Sequence, residues 1–142
     1  MRKIILAAAL VALAGPAAAS DESDIAAVVN GYNKDFAPSY CAPQAAIIDE
    51  FAPHSWIGAT ACADWLTSFG ADAKTNGITD GVVTPGKPEH IQVDGDRAYA
   101  VYPADYNFKK KGKPVHEKGT WTFALQKLSG SWKITAWTWS RH

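Results

Sequence analysis

Apolar residues first take up a regular spacing after Asp21. Ile25, Val28, Val29, Tyr32 and Phe36 recur at three- and four-residue steps and make one stripe of an amphipathic helix. Ser20 or Asp21 can cap this helix, Glu22 and Asp24 lie where its dipole favours acids, and Pro38 ends it. Ala45 to Phe51, bounded by Pro43 and Pro53, reads as a short strand. A second helix follows Gly58, with Cys62, Trp65, Leu66, Phe69 and Ala73 on its inward face and Asn76-Gly77 as its C-cap. Residues 76–88, rich in Gly, Pro and Thr, read as a loop with at most a brief strand at Val82-Val83.

From Glu89 onward the period changes to two, and only strands are expected. Glu89 to Val93 leads through a tight turn at Asp94-Gly95-Asp96 into a long strand, Arg97 to Phe108. That strand carries Ala98, Ala100, Tyr102, Ala104, Tyr106 and Phe108 on one face, and Tyr99, Val101, Pro103, Asp105 and Asn107 on the other. Pro103 in mid-run implies a bulge or an edge. A lysine-rich tip, Lys109 to Lys113, is expected to be a solvated hairpin turn before Val115–Leu128, where Trp121, Phe123 and Leu125 alternate with Thr120, Thr122 and Ala124. The last strand follows Ser129-Gly130-Ser131 and holds three of the six tryptophans. Strict alternation divides it into Trp132, Ile134, Ala136 and Thr138 against Lys133, Thr135, Trp137, Trp139 and Arg141. Bulky groups on both faces mean a strand covered on both sides or lining a cavity on one.

The first nineteen residues stand apart from this pattern. Arg2 and Lys3 precede a ten-residue apolar run, Ile4 to Leu13, too short to span a bilayer, and Ala17-Ala18-Ala19 supplies small residues for cleavage. The expectation is a secretory signal peptide cut after Ala19 and a periplasmic or secreted protein with no membrane attachment after cleavage. Residues 20–142 then form a single domain. Losing Arg2 and Lys3 leaves 12 basic against 14 acidic residues, a net charge of −2, with no basic face for nucleic acid. In an oxidising compartment Cys41 and Cys62 are expected to form a disulfide closing a loop of about twenty residues, worth about 3 kcal/mol in the chain-entropy model; two buried thiols are the other reading. The four histidines have no metal-ligand spacing, and no phosphate-cradling glycine loop or dinucleotide fingerprint is present, so neither a metal nor a cofactor is expected.

The order of elements, with Ile48-Asp-Glu-Phe51, Trp56-x-Gly58 leading to Cys62-x-x-Trp65, Gly95-Asp-Arg-Ala98 and Gly130-Ser-Trp-Lys-Ile134, resembles the nuclear transport factor 2-like superfamily and its small SnoaL-like bacterial proteins. The resemblance spans nearly all of residues 20–142. It implies an α+β fold, a cone in which a strongly curved, mostly antiparallel sheet wraps N-terminal helices around a pocket, and a homodimer joined sheet to sheet. It implies no single reaction, since the superfamily includes isomerases, dehydratases, ligand binders and docking modules. Against its ketosteroid-isomerase-like branch, Tyr32 matches the first-helix tyrosine and Asp49 or Glu50 the carboxylate base; the protonated acid falls near Phe123 and is missing, leaving Asp105 as a substitute on the neighbouring strand.

These positions give the expected site. Asp49, Glu50, Tyr32 and His54 are the candidate catalytic residues, His54 as a loop acid or base. Adjacent on a strand, Asp49 and Glu50 point to opposite faces, so one carboxylate faces inward. Trp56, Trp65, Tyr102, Asp105, Phe123 and Trp137 are the candidate ligand contacts. The leading reading is a pocket protein for a small apolar or aromatic molecule. The others are a cofactor-independent isomerase or dehydratase-type enzyme, and a protein-interaction module that uses the sheet face.

Overall fold

A computed structural model describes residues 16–142, with side chains from Ser20 onward. Most of the expected signal segment lies outside the described residues. Helix α1 (Pro16–Asp35) is followed by a single 3-10 turn, Pro38–Tyr40, then β1 (Cys41–Ile48), β2 (Ser55–Gly58), α2 (Ala61–Asn76), β3 (Ile78–Pro85), β4 (His90–Asp94), β5 (Arg97–Lys110), β6 (Lys113–Leu128) and β7 (Ser131–Arg141). The strands form one curled, unclosed sheet in the order β2-β1-β7-β6-β5-β3, with β4 also paired to β5. All pairs are antiparallel except β1 with β7. Two helices packed on this mostly antiparallel sheet make the fold α+β.

The α1 stripe packs as its spacing predicts: Ile25, Val29 and Tyr32 are fully buried, and Val28 and Phe36 pack beside them. Asp21 pins the start of the helix to the far end of the sheet, accepting hydrogen bonds from Lys127 Nζ at 2.6 Å and Trp132 Nε1 at 3.0 Å. On β5 and β6 burial follows the predicted alternation, and Pro103 sits where β5 changes partner along one edge, pairing with β4 up to Val101 and with β3 from Ala104. A residue without an N–H is tolerated at such a handover.

Three expectations are corrected. The segment expected to be a loop, residues 76–88, contains β3, an eight-residue strand on the sheet edge. Its residues are mostly exposed and interrupted by a register shift near Asp80, so no alternation marks it in sequence. The first strand starts at Cys41 and stops at Ile48, so Asp49 to Phe51 belong to the following turn rather than to a strand. Pro43 is accommodated because β1 and β7 fall out of register between Cys41 and Ala46.

The third correction concerns β7. Leu125 pairs with Ile134 but Ala124 pairs with Ala136, so Thr135 is an extra residue, a β-bulge. Side-chain parity inverts there. Trp132, Ile134 and Trp137 are all buried in the same core, and Trp139 packs against it. The tryptophans therefore do not divide between two layers. The outer face of the sheet carries small residues instead, Ala46, Thr122, Ala124, Ala136 and Thr138, with Ile48 and Tyr99 exposed among them.

Cys41 and Cys62 are joined as a disulfide that ties β1 to α2, across 21 positions of sequence. Replacing both with serine is expected to lower unfolding stability by about 3 kcal/mol, the loop-closure value for this spacing. Urea denaturation of the variant, and of the unmodified protein with and without reductant, checks this; equal midpoints would show that the bridge contributes nothing.

Candidate active site

Inside the curl lies a cavity of about 330 Å³. One wall is α2. Trp65, Phe69, Asp72 and Asn76 are spaced by four, three and four residues, which puts them on one face of the helix, and all four line the cavity. The opposite wall comes from the concave side of the sheet: Tyr106, Phe108 and Lys110 from β5, Glu117 and Trp121 from β6, and Trp137, Trp139 and Arg141 from β7. These residues share a side because β5 and β6 alternate regularly and β7 carries its bulge before Trp137. Phe36 just after α1, the turn Asp49–Phe51, and Ile78 and Val83 from β3 complete the lining.

Trp139 fits because residue 119 is glycine. A Cβ at Gly119 would stand 2.5 Å from Cζ2 of the Trp139 indole, so any larger residue displaces that ring. The indoles of Trp65 and Trp121 both stand nearly perpendicular to Trp137, at 85° and 86°, with centroids 4.8 and 5.7 Å away.

The turn after β1 presents both carboxylates to the cavity. It is closed by Asp49 N donating to His54 O at 3.1 Å and His54 N donating to Phe51 O at 2.8 Å. Asp49 Oδ2 accepts the Trp65 indole N–H at 2.9 Å, and Oδ1 accepts the amide of Glu50 at 2.7 Å. Burial raises the Asp49 pKa above the ordinary carboxylate value; the Trp65 and Glu50 hydrogen bonds pull it back, and the charges of Glu50 and Asp72 add to the rise. Glu50 turns to the rim, where Oε1 accepts the backbone amide of Arg141 at 2.8 Å. The Arg141 guanidinium lies 3.6 Å from Glu50 Oε2 and donates to Glu117 Oε1 at 3.0 Å, so it bridges the two acids across the mouth.

Of the ten residues expected at the site, Asp49, Glu50, Trp65 and Trp137 line the cavity. The other six do not. Tyr32 touches the cavity wall from outside it: its ring packs against Phe36, Trp121 and Trp137, and its hydroxyl accepts the Trp137 indole N–H at 3.0 Å. Burial, chiefly, holds the Tyr32 pKa well above that of a free phenol. His54 is exposed, with left-handed backbone and its Nδ1 3.3 Å from the carbonyl oxygen of Asp49. Trp56 is buried and donates to Ser68 Oγ. Tyr102 and Phe123 meet edge to face in the core beyond Trp121. Asp105 is on the outer side of β5, 2.6 Å from His116 Nε2, as the parity of that strand requires, so it does not replace the missing acid. Lys110, expected at a solvated tip, reaches the cavity rim.

Asp72, Asn76, Glu117 and Arg141 were not foreseen. The signal for the first two was present, since they continue the helical spacing from Trp65 and Phe69. Glu117 shares the parity of Trp121. Arg141 shares the parity of Trp137, which was expected at the site.

Compared by sequence, the chain matches no family model and no curated protein. Compared by structure, it is similar to many solved proteins. The fold is that of the nuclear transport factor 2-like proteins. An NTF2-like protein with a cystatin-like fold from Novosphingobium aromaticivorans superposes with a TM-score of 0.70 at 14% identity, over 94% of this chain and 92% of that one. An NTF2-like superfamily protein from Salmonella enterica gives 0.70 at 16% identity, over 87% and 92%. A type 2 hexachlorocyclohexane dehydrochlorinase gives 0.71 at 10% identity, over 88% and 87%. The structural neighbours thus include a dehydrochlorinase, and the fold is what they share with this chain.

The raised pKa of Asp49 gives this NTF2-like fold a pH signature. The folded state holds the Asp49 proton at a pH where the unfolded chain has already lost it, so this group lowers stability as pH rises through the window between the two values. In Asp49→Asn that contribution disappears. Urea stability measured from acid to neutral pH is expected to fall more steeply with rising pH in the unmodified protein than in the variant; parallel profiles would place Asp49 in a solvated setting.

Proposed function

We propose that residues 20–142 form an exported pocket protein that binds a small, flat, largely apolar molecule inside the cone. The observation that carries this reading is the cavity wall itself: nine of its eighteen lining residues are Trp, Phe or Tyr. Its volume lies at the small end of the roughly 300–1,000 Å³ of ligand sites, which suits a molecule of one or two rings. With four indoles in the wall, binding is expected to quench tryptophan fluorescence saturably. It should also stabilise the fold by about 2.7 kcal/mol when ligand reaches one hundred times Kd. A thermal-shift and fluorescence screen with one- and two-ring apolar compounds tests this, and an unmoved melting temperature across the panel refutes it.

A second reading is favoured by Asp49. A half-buried carboxylate with a raised pKa in a cavity wall is what a general base for a cofactor-independent isomerisation or elimination requires. Tyr32 is not in position to donate to a developing oxyanion, so that role would fall to the Tyr106 phenol or to Arg141 at the rim. The probe 5-nitro-1,2-benzisoxazole is bicyclic and opens when a base removes its ring C–H proton, the N–O bond breaking to give a nitrile and a phenolate. Turnover faster than with acetate in solution, rising with pH as Asp49 ionises and lost in Asp49→Asn, is the expected outcome. Equal rates for the variant and the unmodified protein reject Asp49 as the base.

A further inference from the structure

The charges in the cavity wall are unequal. Four carboxylates line it, Asp49, Glu50, Asp72 and Glu117, against two basic residues, Lys110 and Arg141. Arg141 is held between Glu50 and Glu117. Asp49 and Asp72 form no ion pair with a basic side chain among the described residues. Asp49 accepts only the Trp65 indole and the Glu50 amide, and Asp72 accepts the side-chain amide of Asn76 at 3.0 Å. Lys110 stands exposed at the end of β5, where solvent and salt screen its charge more than those of the half-buried aspartates.

The negative field is felt by other groups. Tyr106, in the wall, has its phenol pKa raised first by burial and then by the charges of Glu117, Asp49 and Asp72. Asp49 itself is opposed by Glu50 and Asp72. An anionic ligand would meet the same repulsion. A neutral ligand would gain only apolar contact.

The aromatic walls complement that field. Trp65 and Trp121 each pack edge to face against Trp137, and all three indoles are buried in the cavity wall. A cation within about 6 Å of an indole face is attracted by the ring quadrupole, and more strongly where water is excluded. The lining holds four indoles, so a cation inside the cavity lies near more than one aromatic ring.

We propose that the cavity selects an apolar molecule carrying one positively charged nitrogen, an aromatic or alicyclic ammonium ion. The nitrogen sits toward Asp49 and Asp72, and the apolar body lies against Trp65, Trp121 and Trp137. This rests on the reading of the cavity as a small-molecule site and specifies the class of molecule.

The test compares three probes of similar size near neutral pH and low salt: benzyltrimethylammonium, its uncharged carbon isostere neopentylbenzene, and 3-phenylpropanoate. Tryptophan fluorescence titration is expected to give an affinity for the cation about tenfold above that for the isostere, and no saturable response to the anion. Asp49→Asn and Asp72→Asn, each confirmed as folded by circular dichroism, should each bring the cation-to-isostere ratio toward one; two variants guard against misfolding of either. The ratio should also shrink as acid protonates Asp49, starting at a higher pH than for an ordinary carboxylate. If the isostere binds as tightly as the cation, the charge assignment is overturned while the pocket stands. If the folded protein binds none of the three, the pocket reading falls and this assignment with it.

Discussion

One extra residue in β7 decides what the concave face of the sheet can be. Without the bulge at Thr135, Trp137, Trp139 and Arg141 would point to the outer side, and Ala136 and Thr138 would face the helices. The cavity would lose two of its four indoles, and Glu50 and Glu117 would lose the guanidinium between them. With it, a strand that reads as two-faced becomes one-faced along its whole length. The outer surface is left with alanine and threonine, and the inner one receives nearly all the large rings. The local change is a single insertion in one ladder, and its effect reaches every residue that follows in the strand.

The same arrangement sets a local conflict. A carboxylate that lines an aromatic wall loses hydration, and two hydrogen bonds to Asp49 offset only part of that penalty. Glu50 and Asp72 nearby make the position less favourable still. A purely structural residue at this turn could be an asparagine, keeping an acceptor for Trp65 without the charge. At the rim Arg141 stands between two acids and offsets one of their charges, whereas Asp49 and Asp72 form no ion pair with a basic side chain among the described residues.

Much of this was legible in the chain. The α1 stripe, the inward face of α2, the alternation of β5 and β6 and the disulfide follow from periodicity and from two cysteines, and the cone is what the resemblance in the order of elements implied. What failed did so for physical reasons. The β3 strand is an exposed edge, so burial imposes no pattern on it. Alternation is a counting rule, and a bulge at Thr135 resets the count without leaving a glycine or proline as a marker. The match of Tyr32 to a family position placed its backbone well, but its hydroxyl is taken up by Trp137. Asp105 and Phe123 were proposed from a neighbouring strand and a family position, and the parity of β5 and the depth of the core exclude both from the cavity.

The parallel pairing of β1 with β7 also governs how the chain can assemble. The hairpins of β4, β5 and β6 close over short turns, and the Cys41–Cys62 bridge spans a modest loop. But β1 has only the four-residue β2 on one side, and its other neighbour begins some ninety positions later in the chain. Two strands alone are marginal in water. Pairing β1 with the last strand therefore closes the longest loop in the sheet and carries its greatest loop-closure entropy. Asp49 follows directly on β1, and Trp137, Trp139 and Arg141 lie on β7. The site thus lies at the seam that joins the parts of the sheet most distant in sequence, rather than within either half.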